Sequence, residues 1–376
     1  EQRAKMQGLF SGVWGVSSVV GPLLGGFLVD AISWHWVFWV NLIPGVISLL
    51  LFSLAWQDRD RSQDAHVTVD YAGAALLTVE VDVLLIGLAE IGRTLGNLKL
   101  IVAVALIILL IWIERRAADP VLPLPLLKKR LFAVACGHGL FSGWAMFGSL
   151  SYVPLFVQTV LGTSATAAGS TLTPMLLGWV TASVIGSRLL LKISYRTLAV
   201  IGMLLLTVGT LLVYLAGAQT NQLLLMVELT MMGVGMGLSI PAFMIAVQSS
   251  VPKRQMGTAT SSLTFSRSIG GTLGVSVMGA FLASKLASGL LAAGMDPNTV
   301  SIDSLLDPMA SSGATAAIDN TLRLVLGEAI ATVFVIALIG AVLGLIVTAM
   351  APGGQIGEIT EGNKQEERIA AAEPIL

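Results

Sequence analysis

Ten runs of about 20 residues are nearly free of charge, roughly 8–29, 36–56, 71–92, 98–113, 132–157, 165–190, 197–216, 223–248, 257–283 and 328–350. No other feature limits the fold as much. A helix of that length crosses the ~30 Å hydrocarbon core of a bilayer at ~1.5 Å per residue. Lipid offers no partner to backbone N–H and C=O groups, so only helices or closed barrels can span it. Apolar residues here are continuous and do not alternate, which selects helices. Only 11% of residues are charged and the mean hydropathy is +0.86. A soluble domain averages about 25% charged, so this chain cannot cover a water-facing surface. The expected fold is an all-α polytopic membrane bundle. Glycine fits it too: 40 of 376 residues, above the usual ~7%, allow close helix packing in lipid.

Several function classes drop out. A net charge of −1 argues against a nucleic-acid partner. Cys136 is the only cysteine, so neither a disulfide framework nor a cysteine metal site is expected. His35, His66 and His138 are scattered without metal-ligand spacing. No glycine-rich loop ends in Lys-Ser or Lys-Thr, so ATP-driven work has no support. No catalytic set emerges, and the chain does not read as an enzyme. It begins with Glu1 and lacks a signal peptide, so the natural start is expected to lie upstream. Of the 21 Lys and Arg residues, 16 fall in one set of connections, 4 in the opposite set, and Arg267 alone within a span. Excess Lys and Arg marks the cytoplasmic side, which places both termini there.

The stretch from Gly15 to Gly45 is the most informative. Ser17-x-x-x-Gly21-Pro22-x-x-Gly25-Gly26 lies inside the first run. Gly8, Gly12, Gly15, Pro22 and Gly26 share one helix face, a small surface that admits another backbone. Pro22 removes a backbone donor and bends the helix. Trp34-His35-Trp36-Val37-Phe38-Trp39-Val40-Asn41 follows, with indoles suited to the membrane interface. This pair of patterns resembles the fourteen-span drug:proton antiporters of the major facilitator superfamily. That family carries G-x-x-x-G-P-x-x-G-G on its fifth span and W-R-W-x-F-x-x-N in the turn after it. Ser17 replaces the first glycine, and His35 the turn's arginine.

The resemblance continues along the chain. Asp70-Tyr71-Ala72-Gly73 looks like the family's D-x-x-G at an inserted helix pair, here spans 71–92 and 98–113. Tyr152-x-Pro154-x-x-x-Gln158-x-x-x-Gly162 and the small residues up to Gly169 resemble the exit of the seventh span of a twelve-span core. Gly186-Ser187-Arg188 to Arg196 looks like a degenerate G-x-x-x-D-R-x-G-R loop without its acid. Gly233-x-Gly235-x-Gly237 with Pro241, and Ser266-Arg267-Ser268-Ile269-Gly270-Gly271-x-x-Gly274, resemble late spans.

Charge inside a membrane is expensive, at least ~2.5–3.5 kcal/mol on insertion scales, and needs a partner or a pathway. Arg267 lies ten residues into its run, about 15 Å deep and near the midplane. It either faces a central cavity and binds an anionic group, or bonds carbonyls of a broken neighbouring helix. Glu228 either pairs with Arg267 or snorkels to the outer interface. Glu80 and Asp82 point to different faces of one helix and are candidates for proton carriage. Gln158 and Gln248 are candidate hydrogen-bonding residues of a cavity.

The resemblance implies a major facilitator-type bundle with about ten of an expected fourteen transmembrane helices. Residues 1–56 would close the N-terminal half, and 57–130 would hold a cytoplasmic loop, the inserted hairpin and a link. Residues 131–350 would form the C-terminal six-span half with an outside loop at 284–327, and 351–376 a disordered cytoplasmic tail. Such a truncated first half is expected to insert without transporting. The implied function is proton-coupled efflux of hydrophobic or cationic drugs across the plasma membrane by alternating access, with a proton gradient as energy source and no cofactor. Its partners would be small hydrophobic substrates, protons and the lipid bilayer. The alternatives are export of an endogenous metabolite or lipid precursor, and a non-transporting membrane remnant or scaffold.

Overall fold

The computed structural model describes residue 17 and residues 20–55, 70–91, 94–116, 123–216, 220–252, 255–292, 320–359 and 361. Ten helices organise them. They are α1 Val20–Ala31, α2 Trp36–Ala55, α3 Tyr71–Ala89, α4 Thr94–Glu114, α5 Arg130–Thr159, α6 Ala165–Leu189, α7 Tyr195–Ala216, α8 Gln222–Ser250, α9 Met256–Ala292 and α10 Asn320–Ala349. Nine of these, all but α1, are long and apolar enough to cross a membrane, counted among the described residues. The expected first span, 8–29, begins in residues that lie outside the described set. The chain is thus a multi-pass helical membrane protein. Gly162 (φ 65°) reverses the chain between α5 and α6, and Ser164 then caps α6 by accepting from the Ala167 N–H at 3.2 Å.

Helices α5 to α10 form one packed group. Its main contacts are α6 with α8, α8 with α7, α5 with both α9 and α10, and α7 with α10. Apolar side chains alone do not drive helices together in lipid, so small residues must bring backbones into touch. At the α5–α9 crossing they do. A Cβ added to Gly143 would strike the Arg267 carbonyl, and one added to Gly270 would strike the Leu140 carbonyl. Around this crossing lies a core of Met146, Met203, Met232, Met278 and aliphatic neighbours. A second cluster at the other end of the group holds Phe132, Tyr195, Leu198 and Phe243.

The inserted pair α3–α4 is a hairpin with a seven-residue seam. Gly73, Glu80 and Gly87 of α3 are buried, as are Gly96, Ala103 and Leu110 of α4. Asp70 opens it by accepting from the Gly73 N–H at 2.8 Å, and Lys99 closes its other end on Glu90 at 2.7 Å. One side of α3 also rests on α9.

Two span ends differ from the sequence reading. Helix α9 runs on to Ala292, and α10 begins at Asn320, so the segment 284–327 is helical at both ends. The start of the expected tail is also ordered. The Tyr195 hydroxyl donates to the Pro352 carbonyl at 2.5 Å, and Ser194 Oγ to the Gly354 carbonyl at 3.0 Å. Ile356 and Ile359, three apart, pack on the cluster around Tyr195. A polar composition hid this, because two apolar residues and a few carbonyls suffice to dock a short segment. The rest of the tail beyond Glu361 lies outside the described residues.

Candidate transport site

The glycine-proline motif holds α1 against α6, but only by one edge. Gly26 is buried, and a Cβ there would lie 2.6 Å from the Thr166 Cα. In return, a Cβ on Gly169 would strike the Pro22 carbonyl. Gly21 and Gly25 face open space, with nothing within 4 Å of an added Cβ, and Ser17 is helical and exposed. The contact edge is therefore the stripe Pro22, Gly26 and Asp30, four residues or about one turn apart each. Gly21 and Gly25 form the adjacent stripe, turned about 100° away per residue.

Asp30 completes that edge. Its carboxylate sits on the first turn of α6, where backbone donors have no intrahelical partner. Oδ1 accepts from the Ala165 N–H at 3.2 Å, and Oδ2 accepts from the Thr166 N–H at 2.8 Å and hydroxyl at 2.5 Å. An acid there also matches the positive end of the helix dipole. A cap is worth about 0.5–2 kcal/mol. Asp30→Ala is thus expected to loosen α1 from α6 by that order. With Cys136 replaced by serine, an Ala165→Cys thiol should react faster with an impermeant maleimide when Asp30 is alanine. Unchanged reactivity would mean the glycine contact alone holds the two helices.

Beyond α1 the chain turns sharply. Trp34 stacks on His35 with ring centroids 3.9 Å apart, and Ser33 Oγ lies 2.8 Å from His35 Nδ1. Asn41 Nδ2 donates to the Val37 carbonyl at 2.8 Å. His35 thus keeps the turn's polar position by a local hydrogen bond.

The other candidates are spread over the group. Gln158 donates to the Pro154 carbonyl of its own helix at 3.3 Å. Gln248 donates to Thr260 Oγ1 at 3.1 Å and ties α8 to α9. Together with Ser261, Thr264, Phe265 and Ser268 it lines a groove of about 850 Å³. Ser261, Thr264, Ser268 and Thr272 are all exposed and recur every three or four residues, a hydroxyl stripe along α9. The spacing of three and four residues between these hydroxyls is visible in the sequence itself.

Glu228 is 3% exposed, among the tightly packed helices near α7, and Oε2 has no hydrogen-bond partner. No ion pair joins it to Arg267. Glu228 and Gln248 sit 20 residues apart on one helix, about 30 Å by helical rise. Neither end of the Glu228 expectation holds, since it neither pairs with Arg267 nor reaches the surface. Glu80 is buried in the α3–α4 seam, and Asp82 is exposed on the same helix. Arg267 points into a small cavity between α5, α8 and α9, beside His138. Only Gln248 among the predicted residues lines the large groove.

A bundle of membrane-crossing helices, with a glycine-edged helix strapped onto it and a hydroxyl-lined groove along one member, defines a class of multi-pass membrane protein built from packed helix groups. This chain belongs to the Major Facilitator Superfamily, whose family model matches residues 1–275. It is 36% identical over 288 residues to the multidrug transporter protein MdtP of Bacillus subtilis, covering 75% of this chain and 53% of that protein. To multidrug resistance protein 3 of Bacillus subtilis it is 36% identical over 286 residues, 74% of this chain and 55% of that protein. An uncharacterized MFS-type transporter of Mycobacterium tuberculosis, MT1926, is 32% identical over 361 residues, 93% of this chain and 51% of that protein. The chain spans about half the length of these curated relatives.

Proposed function

We propose that the chain serves proton-coupled efflux of hydrophobic or cationic compounds across the plasma membrane, with both termini of the chain on the cytoplasmic side. Two of the relatives named above carry multidrug transport or resistance in their names. The observation that carries the reading is the exposed hydroxyl stripe of α9 beside the groove of about 850 Å³. A lipid-facing helix would present apolar side chains there. Hydroxyls and one amide, with Phe265 and Met256 among them, suit a passing ligand that is largely apolar and needs few fixed partners. The strap of α1 on α6, at the end of the bundle opposite the groove, supports a closed outer side and an open inner one, as alternating access requires.

Transport tests the reading. The protein, expressed from its full reading frame, is reconstituted in liposomes with an imposed pH gradient, and movement of a cationic fluorescent dye is followed. Dye movement that collapses when a protonophore dissipates the gradient is expected. Movement insensitive to the gradient would remove proton coupling, and a protein that moves an endogenous metabolite but no dye would favour the second exporter reading.

A further inference from the structure

One end of the packed group gathers basic side chains from separate helices. Arg130 opens α5, Arg196 sits in the first turn of α7, and α10 ends there at Ala349. Arg130 Nε donates to the Met350 carbonyl at 3.0 Å, and Arg196 Nη2 donates to the Ala349 carbonyl at 2.7 Å. Carbonyls at the end of a helix lack an intrahelical partner, so two cations there answer both that need and the negative end of the dipole. The same bonds fix two guanidinium groups side by side, on consecutive residues of one chain. Both also lie within electrostatic reach of the Tyr195 hydroxyl. A guanidinium carries five N–H donors, and both arginines are exposed, so donors remain open to the surroundings.

No acid pairs with either arginine among the described residues, where the one ion pair is Lys99 with Glu90 on the inserted hairpin. Glu358 lies in the docked segment beyond α10, and its Oε2 accepts from the Gln355 N–H of that segment at 2.9 Å. Further positive charge surrounds the pair. Lys128 and Lys129 precede Arg130, and Lys192 lies in the turn before α7, all exposed. Apolar side chains stand out among them: Leu191, next to Lys192, is 83% exposed, and Met350 is 55% exposed. A soluble anion would need the charges alone. Charges interleaved with exposed apolar side chains, at the ends of membrane-crossing helices, fit the boundary between acyl chains and headgroups. Excess Lys and Arg also sets orientation, but for that charge suffices, and its placement need not be fixed. Here the carbonyls of a third helix hold the two guanidinium groups in place.

We propose that this end of the bundle binds the phosphodiester headgroup of an anionic phospholipid, with Arg130 and Arg196 gripping the phosphate. A guanidinium presents paired donors in a plane, which match two phosphate oxygens. Lys128, Lys129 and Lys192 add attraction to the anionic leaflet, and Leu191 and Met350 enter its acyl boundary. The bound lipid joins α5, α7 and α10 around one headgroup, so it stabilises the group. The site is separate from the hydroxyl-lined groove, and it stands or falls independently of the transport reading.

Melting of the purified protein, expressed from its full reading frame and held in a non-ionic detergent, tests this. The probes are dioleoyl phosphatidylglycerol, dioleoyl phosphatidylcholine and sodium phosphate, all at equal ionic strength. A saturable rise in melting temperature is expected with phosphatidylglycerol and with neither of the others. Arg130→Gln combined with Arg196→Gln should raise the phosphatidylglycerol concentration at half effect at least about tenfold, since one basic residue near a lipid surface is worth about fivefold. Should the double variant fail to fold, each single variant carries the test with a shift of about fivefold. Arg116→Gln is the control, because that guanidinium sits over the Trp112 ring at 3.7 Å, and its response should match the parent's. No rise with phosphatidylglycerol, or an equal rise with phosphatidylcholine, overturns the proposal. So does an equal rise with sodium phosphate, which would make this a site for a free anion. A half-effect concentration left unchanged by the double variant, or by both single ones, overturns it too.

Discussion

Gly270→Val is expected to cost the protein about 1–3 kcal/mol or more, the usual penalty for forcing extra carbons into a packed contact. The clash is with backbone, since a Cβ at 270 strikes the Leu140 carbonyl, and the carbonyl cannot rotate away without opening α5. Gly143, which meets Arg267 from the other side of the same crossing, leaves no slack. In lipid this approach of backbones is most of what holds α5 to α9. Gly257→Val on the same helix is the control, because nothing lies within 4 Å of its added Cβ. Trp144 is a convenient reporter, as its indole donates to the Ile336 carbonyl at 2.9 Å and its backbone faces Gly274. Melting followed by tryptophan fluorescence should drop sharply for Gly270→Val and little for Gly257→Val. Equal melting of the two would mean the crossing is looser than its geometry.

Gly26→Val and Gly25→Val should separate, although they are neighbours in one motif. Valine at 26 would drive its Cβ to 2.6 Å from the Thr166 Cα and 2.8 Å from the Ala165 carbonyl, on the first turn of α6. It should lift α1 from α6 and with it the Asp30 cap. Valine at 25 meets nothing within 4 Å. On the transport reading, Gly26→Val should lose roughly tenfold or more in gradient-driven dye movement, since about 1.4 kcal/mol corresponds to a factor of ten. Gly25→Val should stay near the parent rate. If Gly25→Val is the damaging one, its face meets a further helix, and the α6 contact is secondary.

The same two glycines show what the chain alone discloses. A motif written as Gly-Gly does not tell which glycine meets a neighbour. The spacing of four between Pro22 and Gly26 does, because a helix returns to one face at that interval. The spans were legible for a similar reason. Lipid selects apolar length, and length is written directly in the chain. The Arg267 cavity was half legible. Its depth follows from counting residues, but the His138 beside it bonds Thr348 from 210 residues away, and no local pattern joins them. No motif in the sequence singles out Asp30. Its role as a cap on α6 depends on a helix that starts 135 residues later. Glu228 went the other way: its depth suggested a partner or an escape to water, and packing near α7 supplied neither.

One dimension of α9 reaches beyond packing. Its 37 residues make a rod of about 55 Å at ~1.5 Å per residue, against a hydrocarbon core of ~30 Å. Membrane helices tilt by up to about 40°, which cannot absorb that excess. Part of this helix must therefore stand clear of the hydrocarbon, and the end holding Lys285 and Ser288 is braced there by Leu286 and Leu290 in the core and by Gly289 against Val325. A braced end of that kind is a handle on sidedness. An epitope grafted after Ser288 would be displayed stiffly on one surface only, so antibody binding to intact cells would read the orientation of the whole bundle in a single measurement.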